Sequence, residues 1–323
     1  MMNKEDISLL FTYLQSQETA FDYLLQCYRR QNLPEAETKS YENAGALMHY
    51  IDHGRRFLTN ARDTDILMMP VLLFYGMTHL CKACLLTKRP DYPETTAVLA
   101  HGVSTRKRKK KNYTFLQDEV KIQHNGLFPY LAKYLYAVGS FPFEKIRMEQ
   151  LFSLIPELNQ LFTFTNSQKL TAVGEKDSDQ LYFPEKILDG YHLTEAAFIK
   201  RINKHAAGLT HVQTVSGYME VVLSAPVNEA SSPFFIHHET GIIYLPNDRE
   251  HFLALPELLI HYLLLYNLSM VSRYETEWWG ELLTARTEAD FPFIRHFLHV
   301  TAEKVPLLLG KELLDQLEPE SRK

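Results

Sequence analysis

Apolar residues crowd most densely in the first half of the chain, between Asp65 and Lys88 (DILMMPVLLFYGMTHLCKACLLTK). Pro70 stands near the start of that run, where a missing N–H costs little. Beyond it Leu73, Met77, Leu80, Cys84 and Lys88 recur at three-to-four spacing, with Val71, Leu72, Phe74, Tyr75, Cys81 and Leu85 on the flanks. A helix apolar around most of its circumference belongs in the middle of a bundle. A membrane span asks for about 18 uninterrupted apolar residues. His79 and Lys82 interrupt this run, so the expectation is a buried core helix and no membrane partner.

Upstream, Phe11, Tyr13, Leu14, Phe21, Leu24, Leu25 and Tyr28 predict two short helices about Gln17, ended near Pro34. Ser40 is the expected N-cap of a helix running to about Ala61, with Tyr41, Ala44, Leu47, Met48, Ile51 and Phe57 as its stripe. Downstream, Tyr113–Tyr136 reads as mostly helical, with a C-cap or turn at Asn125-Gly126. Phe143–Phe162 closes the helical part, and Ile155-Pro156 marks a helix start or break.

The pattern changes near Leu161. From there to about Pro246, LFTFT, QLYF, HVQTV, YMEVVLS, FFIHH and GIIYL are short β-branched and aromatic runs that predict strands. Glu239-Thr240-Gly241 is the expected turn of a hairpin, and Thr194 the N-cap of an embedded helix reaching His205. Pro256–Tyr274 returns to helix and is expected to continue through Trp278-Trp279 to Leu283, with Phe291–Leu298 and Pro306–Leu317 as two further helices. The order predicts an α+β protein, mostly α. A helical bundle spans residues 1–160, a small antiparallel β-rich subdomain with one helix spans 161–246, and C-terminal helices over 247–323 pack back on the bundle.

At 323 residues the chain can bury a large core, and 46% hydrophobic with 23% charged residues is ordinary globular composition. The start, MMNKEDISLL, lacks the basic and apolar regions of a secretory signal, and three cysteines suit a reducing compartment better than a disulfide framework. The expected location is cytoplasmic.

Net charge is −5, yet Arg106, Lys107, Arg108, Lys109, Lys110 and Lys111 follow one another just after His101. Six consecutive cations cannot face a core; they form a solvated segment that attracts phosphate, whether of a small molecule or RNA, or an acidic protein surface. The bland reading is an exposed loop with no specific ligand. Lys121 adds a nearby cation, while aromatic interleaving is confined to Tyr113 and Phe115, so stacking on single strands is not signalled. On an acidic chain, the same segment also suits a homo-oligomer formed through complementary patches.

Arg273, with Tyr274, Glu277 and Trp278 around it on a helix, is either a packing cluster with an Arg273–Glu277 pair or an anion-reading pocket. Cys81 and Cys84 read as buried structural thiols, because no second ligand pair stands near them. His237 and His238 fall in a predicted strand, where neighbours point to opposite faces, so a shared metal ion is not expected of them. His192, His205 and His211 lie in the same region without ligand spacing. Phosphate-loop, dinucleotide, nucleophile-elbow and zinc-protease motifs are absent, and no cofactor is expected.

The stretches PVLLFYGMTHLCKACLLT, LAHGVSTRKRKKKNYTFLQDEVKIQHNGLF, IPELNQLF and LSMVSRYETEWWGELL together resemble the YaaC-like family of Bacillus and relatives over nearly the whole chain. The resemblance implies no reaction. It implies a link to purine nucleotide supply, because members are often encoded beside IMP dehydrogenase, which becomes an expected partner. More weakly, Arg55-Arg56-Phe57-Leu58 through LLFYGMTHLCKACLL is similar to the helices of HEPN-type bundles. The arginine-to-histidine spacing of HEPN ribonucleases has no clean counterpart: Arg89 and His101 stand too far apart, Arg295 and His296 are adjacent, and His124 follows Lys121.

Two functions are then weighed. The first is a non-catalytic binding or regulatory module that engages a nucleotide, RNA or an acidic protein through His101, Arg106–Lys111, Lys121 and Arg273. The second is a HEPN-like nuclease or nucleotide-acting enzyme with His101 and His124 as acid and base.

Overall fold

A computed structural model of the chain describes residues 4–106, 113–205, 208–227, 233–253, 255–286 and 289–317. Helices α1 (Lys4–Tyr13), α2 (Gln17–Arg30), α3 (Ala36–Arg62) and α4 (Met69–Lys88) come first. Then follow β1 (Val103–Thr105), β2 (Glu119–Ile122), α5 (Leu127–Tyr136), β3 (Lys145–Arg147), α6 (Met148–Phe152) and α7 (Asn159–Phe164). Next are β4 (Leu170–Glu175), β5 (Gln180–Pro184), α8 (Ile187–Tyr191), α9 (Glu195–Ile202), β6 (Leu209–Val215), β7 (Tyr218–Leu223), β8 (Phe235–Ile236) and β9 (Ile242–Pro246). Helices α10 (Glu257–Tyr274), α11 (Thr276–Ala285) and α12 (Asp290–Leu314) complete an α+β architecture. Two compact units result: a helical unit from residues 1–114, 119–146 and 261–323, and a sheet unit from 115–118 and 147–260.

The helical unit is built on α4. Pro70 sits in its first turn, and Leu73, Phe74, Met77, Leu80, Cys81, Cys84 and Leu85 are buried, as the spacing predicts. By length and composition α4 could cross a membrane, but 72% of its apolar window is buried inside the protein. Helix α3 packs along it and starts a turn earlier than expected. Ser40 is therefore interior, and its buried hydroxyl donates to the Ala36 carbonyl at 2.6 Å instead of capping the helix.

Helix α12 runs unbroken through Pro306, where two helices were expected. A proline cannot donate to the carbonyl four residues back, here that of Ala302. The Arg62 guanidinium donates to that oxygen instead, at 2.8 and 3.1 Å, which removes the usual reason for a break. The expected α10–α11 continuity fails at Glu275 (φ −116, ψ 52), so Arg273 and Glu277 lie on different helices. Only the second half of Tyr113–Tyr136 is helical. Before it, β2 pairs antiparallel with β1, matching Val103 with Ile122 and Thr105 with Val120. Gly126 precedes α5 rather than ending a helix.

In the sheet unit six strands run in the order β6-β7-β5-β4-β9-β8, with antiparallel pairings. Val173, Leu181, Phe183, Met219, Val221, Leu223, Ile243 and Leu245 form a core with Ile187, Tyr191, Phe198 and Ile202 of α8 and α9. Thr194 caps α9 as expected, accepting from the Ala197 N–H at 3.4 Å. The LFTFT run is helical, not extended, because it continues the turn opened by Pro156. Strand β8 stops at Ile236, so His237 and His238 belong to the turn that follows.

Candidate functional site

Tyr75, His79 and Lys82 recur at four and three residues on α4 and make the one polar stripe of that helix, each half-buried. Tyr50, His53 and Phe57 on α3 face it. The His79 ring stacks on Phe57 with centroids 5.8 Å apart, lies edge-on to His53 at 5.5 Å, and is 6.2 Å from Tyr50. The Lys82 ammonium lies 5.8 Å from the Tyr50 ring centroid. Contact this close between two helices depends on Gly54 and Gly76, which face each other at the crossing.

His101 enters the same arrangement from the loop before β1. Its carbonyl accepts from the Tyr262 hydroxyl at 2.9 Å and from the Phe128 N–H at 3.1 Å. Beside it Gly102 (φ 77) and Gly126 (φ 126) touch backbone to backbone: a Cβ on Gly126 would stand 2.3 Å from the Gly102 Cα. Only glycine tolerates both the positive φ and the approach. The imidazole so placed meets Phe74 at 5.0 Å, Tyr266 at 5.7 Å and Tyr75 at 6.5 Å. The rings Tyr50, His79, Phe57, Tyr75, His101 and Tyr266 thus form one continuous series.

Its electrostatics are one-signed. Burial lowers the pKa of His101, and the charges of Arg273 and Lys82 lower it further. His79 is lowered to about 4, by burial, then Lys82, then His53. Lys82 itself is lowered by burial. At neutral pH the imidazoles are therefore uncharged beside two cations. Arg273 is held by the Ser269 carbonyl at 2.8 Å and lies over the Tyr274 ring at 5.3 Å. The His79 Nδ1 is buried and has no hydrogen-bond partner among the described residues. Such a surface can offer aromatic faces, two cations and imidazole nitrogens to an anion that carries a flat ring.

Of the residues singled out in the sequence, His101 and Arg273 are brought together. Arg106 is exposed just beyond β1, and Lys107, Arg108, Lys109, Lys110 and Lys111 lie outside the described residues. Lys121 forms an ion pair with Glu144, whose carboxyl is held below its usual range first by that contact and also by the charge of His124. His124 is exposed, so the two imidazoles proposed as acid and base have different surroundings. His53, His79, Lys82 and Tyr266 were not anticipated as site residues. The available signal was the Tyr75-His79-Lys82 stripe on an otherwise apolar helix. Cys81 and Cys84 are free and buried, and burial raises both thiols, which suits a structural role. A separate surface hollow in the sheet unit, lined by Glu195, Ala196, Ile199, Lys200, Asn203 and Val212, gathers no comparable set of buried polar groups.

The chain belongs to the family described as YaaC-like Protein, which matches residues 12–313. No curated protein and no solved structure matches it.

Proposed function

We propose that this YaaC-like protein is a non-catalytic binding module whose helical unit takes a phosphorylated small molecule, a nucleotide above all, on the surface formed by His79, Lys82, His101 and Arg273. The observation that carries the reading is the sign of the charges: Arg273 and Lys82 act on His101, and Lys82 and His53 act on His79. A phosphate would pair with the Lys82 and Arg273 charges and favour the protonated forms of both imidazoles, and the flanking tyrosines would face a base. Arg106 and the cations after it in the sequence would raise the local concentration of phosphate ligands, RNA or an acidic partner such as IMP dehydrogenase. The link to purine metabolism rests on family resemblance, as does the HEPN-like reading of the bundle.

Thermal shift and calorimetry with purine nucleotides, inorganic phosphate and short RNA, at low and moderate salt, test this. At least one phosphate-bearing ligand is expected to stabilise the protein in a salt-sensitive way. Lys82→Gln with Arg273→Gln is expected to weaken its binding at least tenfold. The reading fails if every ligand leaves the transition unmoved, or if the double variant binds as the wild type does. Cleavage of the RNA during incubation, lost in His101→Ala, would instead support the nuclease alternative.

A further inference from the structure

We infer that the sheet unit carries a site for a divalent transition-metal ion between Glu157, His237 and His238. Because β8 stops at Ile236, the two histidines escape the alternation of a strand. Their rings lie parallel, 5° apart in plane, with centroids at 5.9 Å. Glu157 comes from the single turn Pro156–Leu158. One candidate ligand atom from each of the three residues lies within 4.8 Å of the others.

Both backbones that present these ligands are anchored. Two residues beyond Glu157, the Asn159 amide donates to the Leu170 carbonyl at 3.0 Å, and its oxygen accepts from the Leu170 N–H at 3.0 Å and the Lys169 N–H at 3.3 Å. Across the hairpin, the His237 N–H donates to the Ile242 carbonyl and the Gly241 N–H to the His237 carbonyl, each at 2.9 Å. A ligand set held this way needs little reorganisation to bind.

The Glu157 side chain is 3% exposed and that of His238 15%. Glu157 Oε1 stands 2.9 Å from His238 Nδ1 and 2.9 Å from the His238 backbone N–H. With metal–ligand bonds of about 2.0–2.1 Å, two donors at roughly a right angle on one ion are themselves about 2.9 Å apart. An ion can therefore take the place of the proton between Nδ1 and Oε1. Nδ1 gives up its proton while Nε2 takes one up, so that the neutral imidazole keeps one N–H and the Nδ1 lone pair forms the metal–nitrogen bond. The Thr240 N–H, 3.4 Å from His237 Nδ1, is a weak competitor for that ring.

A cation would offset the charge of a carboxylate held away from water. Two imidazoles and one carboxylate favour zinc-class ions over magnesium and calcium, which prefer oxygen. Three protein ligands leave at least one position of a four-coordinate ion for water or another ligand.

The test uses the full chain after treatment with a chelator. Calorimetry with Zn(II) and visible absorption with Co(II) are expected to show one equivalent bound. His237→Ala, at a half-buried position, is expected to weaken binding at least tenfold, and so is the near-isosteric Glu157→Gln. Circular dichroism checks that both are folded; if Glu157→Gln is not, His237→Ala decides. Lys82→Gln with Arg273→Gln is expected to leave metal binding unchanged, which keeps this site distinct from the proposed anion surface. The inference is overturned if the wild type takes up no equivalent, if His237→Ala binds equally well, or if Mg(II) binds as tightly as Zn(II).

Discussion

Gly54 of α3 and Gly76 of α4 meet with no side chain between them: a Cβ on either would lie 3.1 Å from the other's carbonyl oxygen. The same added atom would stand 2.7 Å from a side-chain carbon of Leu80 or Leu58 respectively. Alanine gains up to about 1 kcal/mol of helix propensity over glycine, but overpacking a crossing of this kind costs about 1–3 kcal/mol. Gly54→Ala is therefore expected to destabilise by about 1–2 kcal/mol, and Gly54→Val by more. Urea unfolding at unchanged m-value measures this, and an alanine variant as stable as the wild type would contradict it.

The guanidinium of Arg62 replaces the missing donor of Pro306 at the Ala302 carbonyl. Arg62→Ala removes a charged donor and leaves that oxygen wanting one, an expected loss of about 1–3 kcal/mol. Pro306→Ala restores the backbone N–H that would otherwise bond Ala302. The loss from Arg62→Ala is thus expected to shrink in the Pro306→Ala background, with a coupling of about 1 kcal/mol in a double-mutant cycle. Equal losses in both backgrounds would show that Arg62 acts only through Glu303, its ion-pair partner at 3.2 Å.

These two relationships mark how far the sequence could be read. Apolar spacing made α4 legible as a buried helix, and Thr194 and Gly241 made a cap and a hairpin turn legible, because each signal is local. Strand β4 (LTAVGE) was missed because threonine, glycine and glutamate dilute its alternation. The break expected at Pro306 was removed by a residue far upstream, Arg62. At the candidate site, His101 and Arg273 each suggested anion chemistry, but their proximity comes from packing between distant segments. His79 and Lys82 looked like interruptions of an apolar run, and they are its polar stripe. For His237 and His238 the period-two rule was sound, and the strand ended one residue too soon for it to apply.

Stability is expected to fall on acidification. A histidine whose folded pKa is depressed holds fewer protons in the folded chain than in the unfolded one, so stability declines as pH drops through that window. For His79 the window runs from about 6.5 down to about 4, and His101 shifts in the same direction. His79 is half-buried, so its share lies well below the roughly 1.4 kcal/mol per pH unit of a full proton difference. Melting temperature followed from pH 7 to pH 5 is expected to drop less in His79→Phe, which keeps a ring against Phe57. Parallel curves for the two proteins would remove His79 as a cause.

The same titration gives the anion surface a signature that mere surface attraction lacks. A phosphate beside His79 and His101 favours their protonated forms and raises both pKa values towards the ordinary range. Binding is then expected to take up protons, and affinity to rise as pH falls from about 7.5 towards 5.5. A cationic surface without linked imidazoles shows no such uptake. Calorimetry in buffers of different ionisation enthalpy separates the two: uptake of a fraction of a proton in the wild type, reduced in His79→Phe and again in His101→Gln. Lys109→Glu with Lys110→Glu, in the basic run, is expected to lower affinity and its salt dependence while leaving the proton uptake intact. Loss of the uptake in that variant would place the phosphate on the basic run instead of between His101 and Arg273.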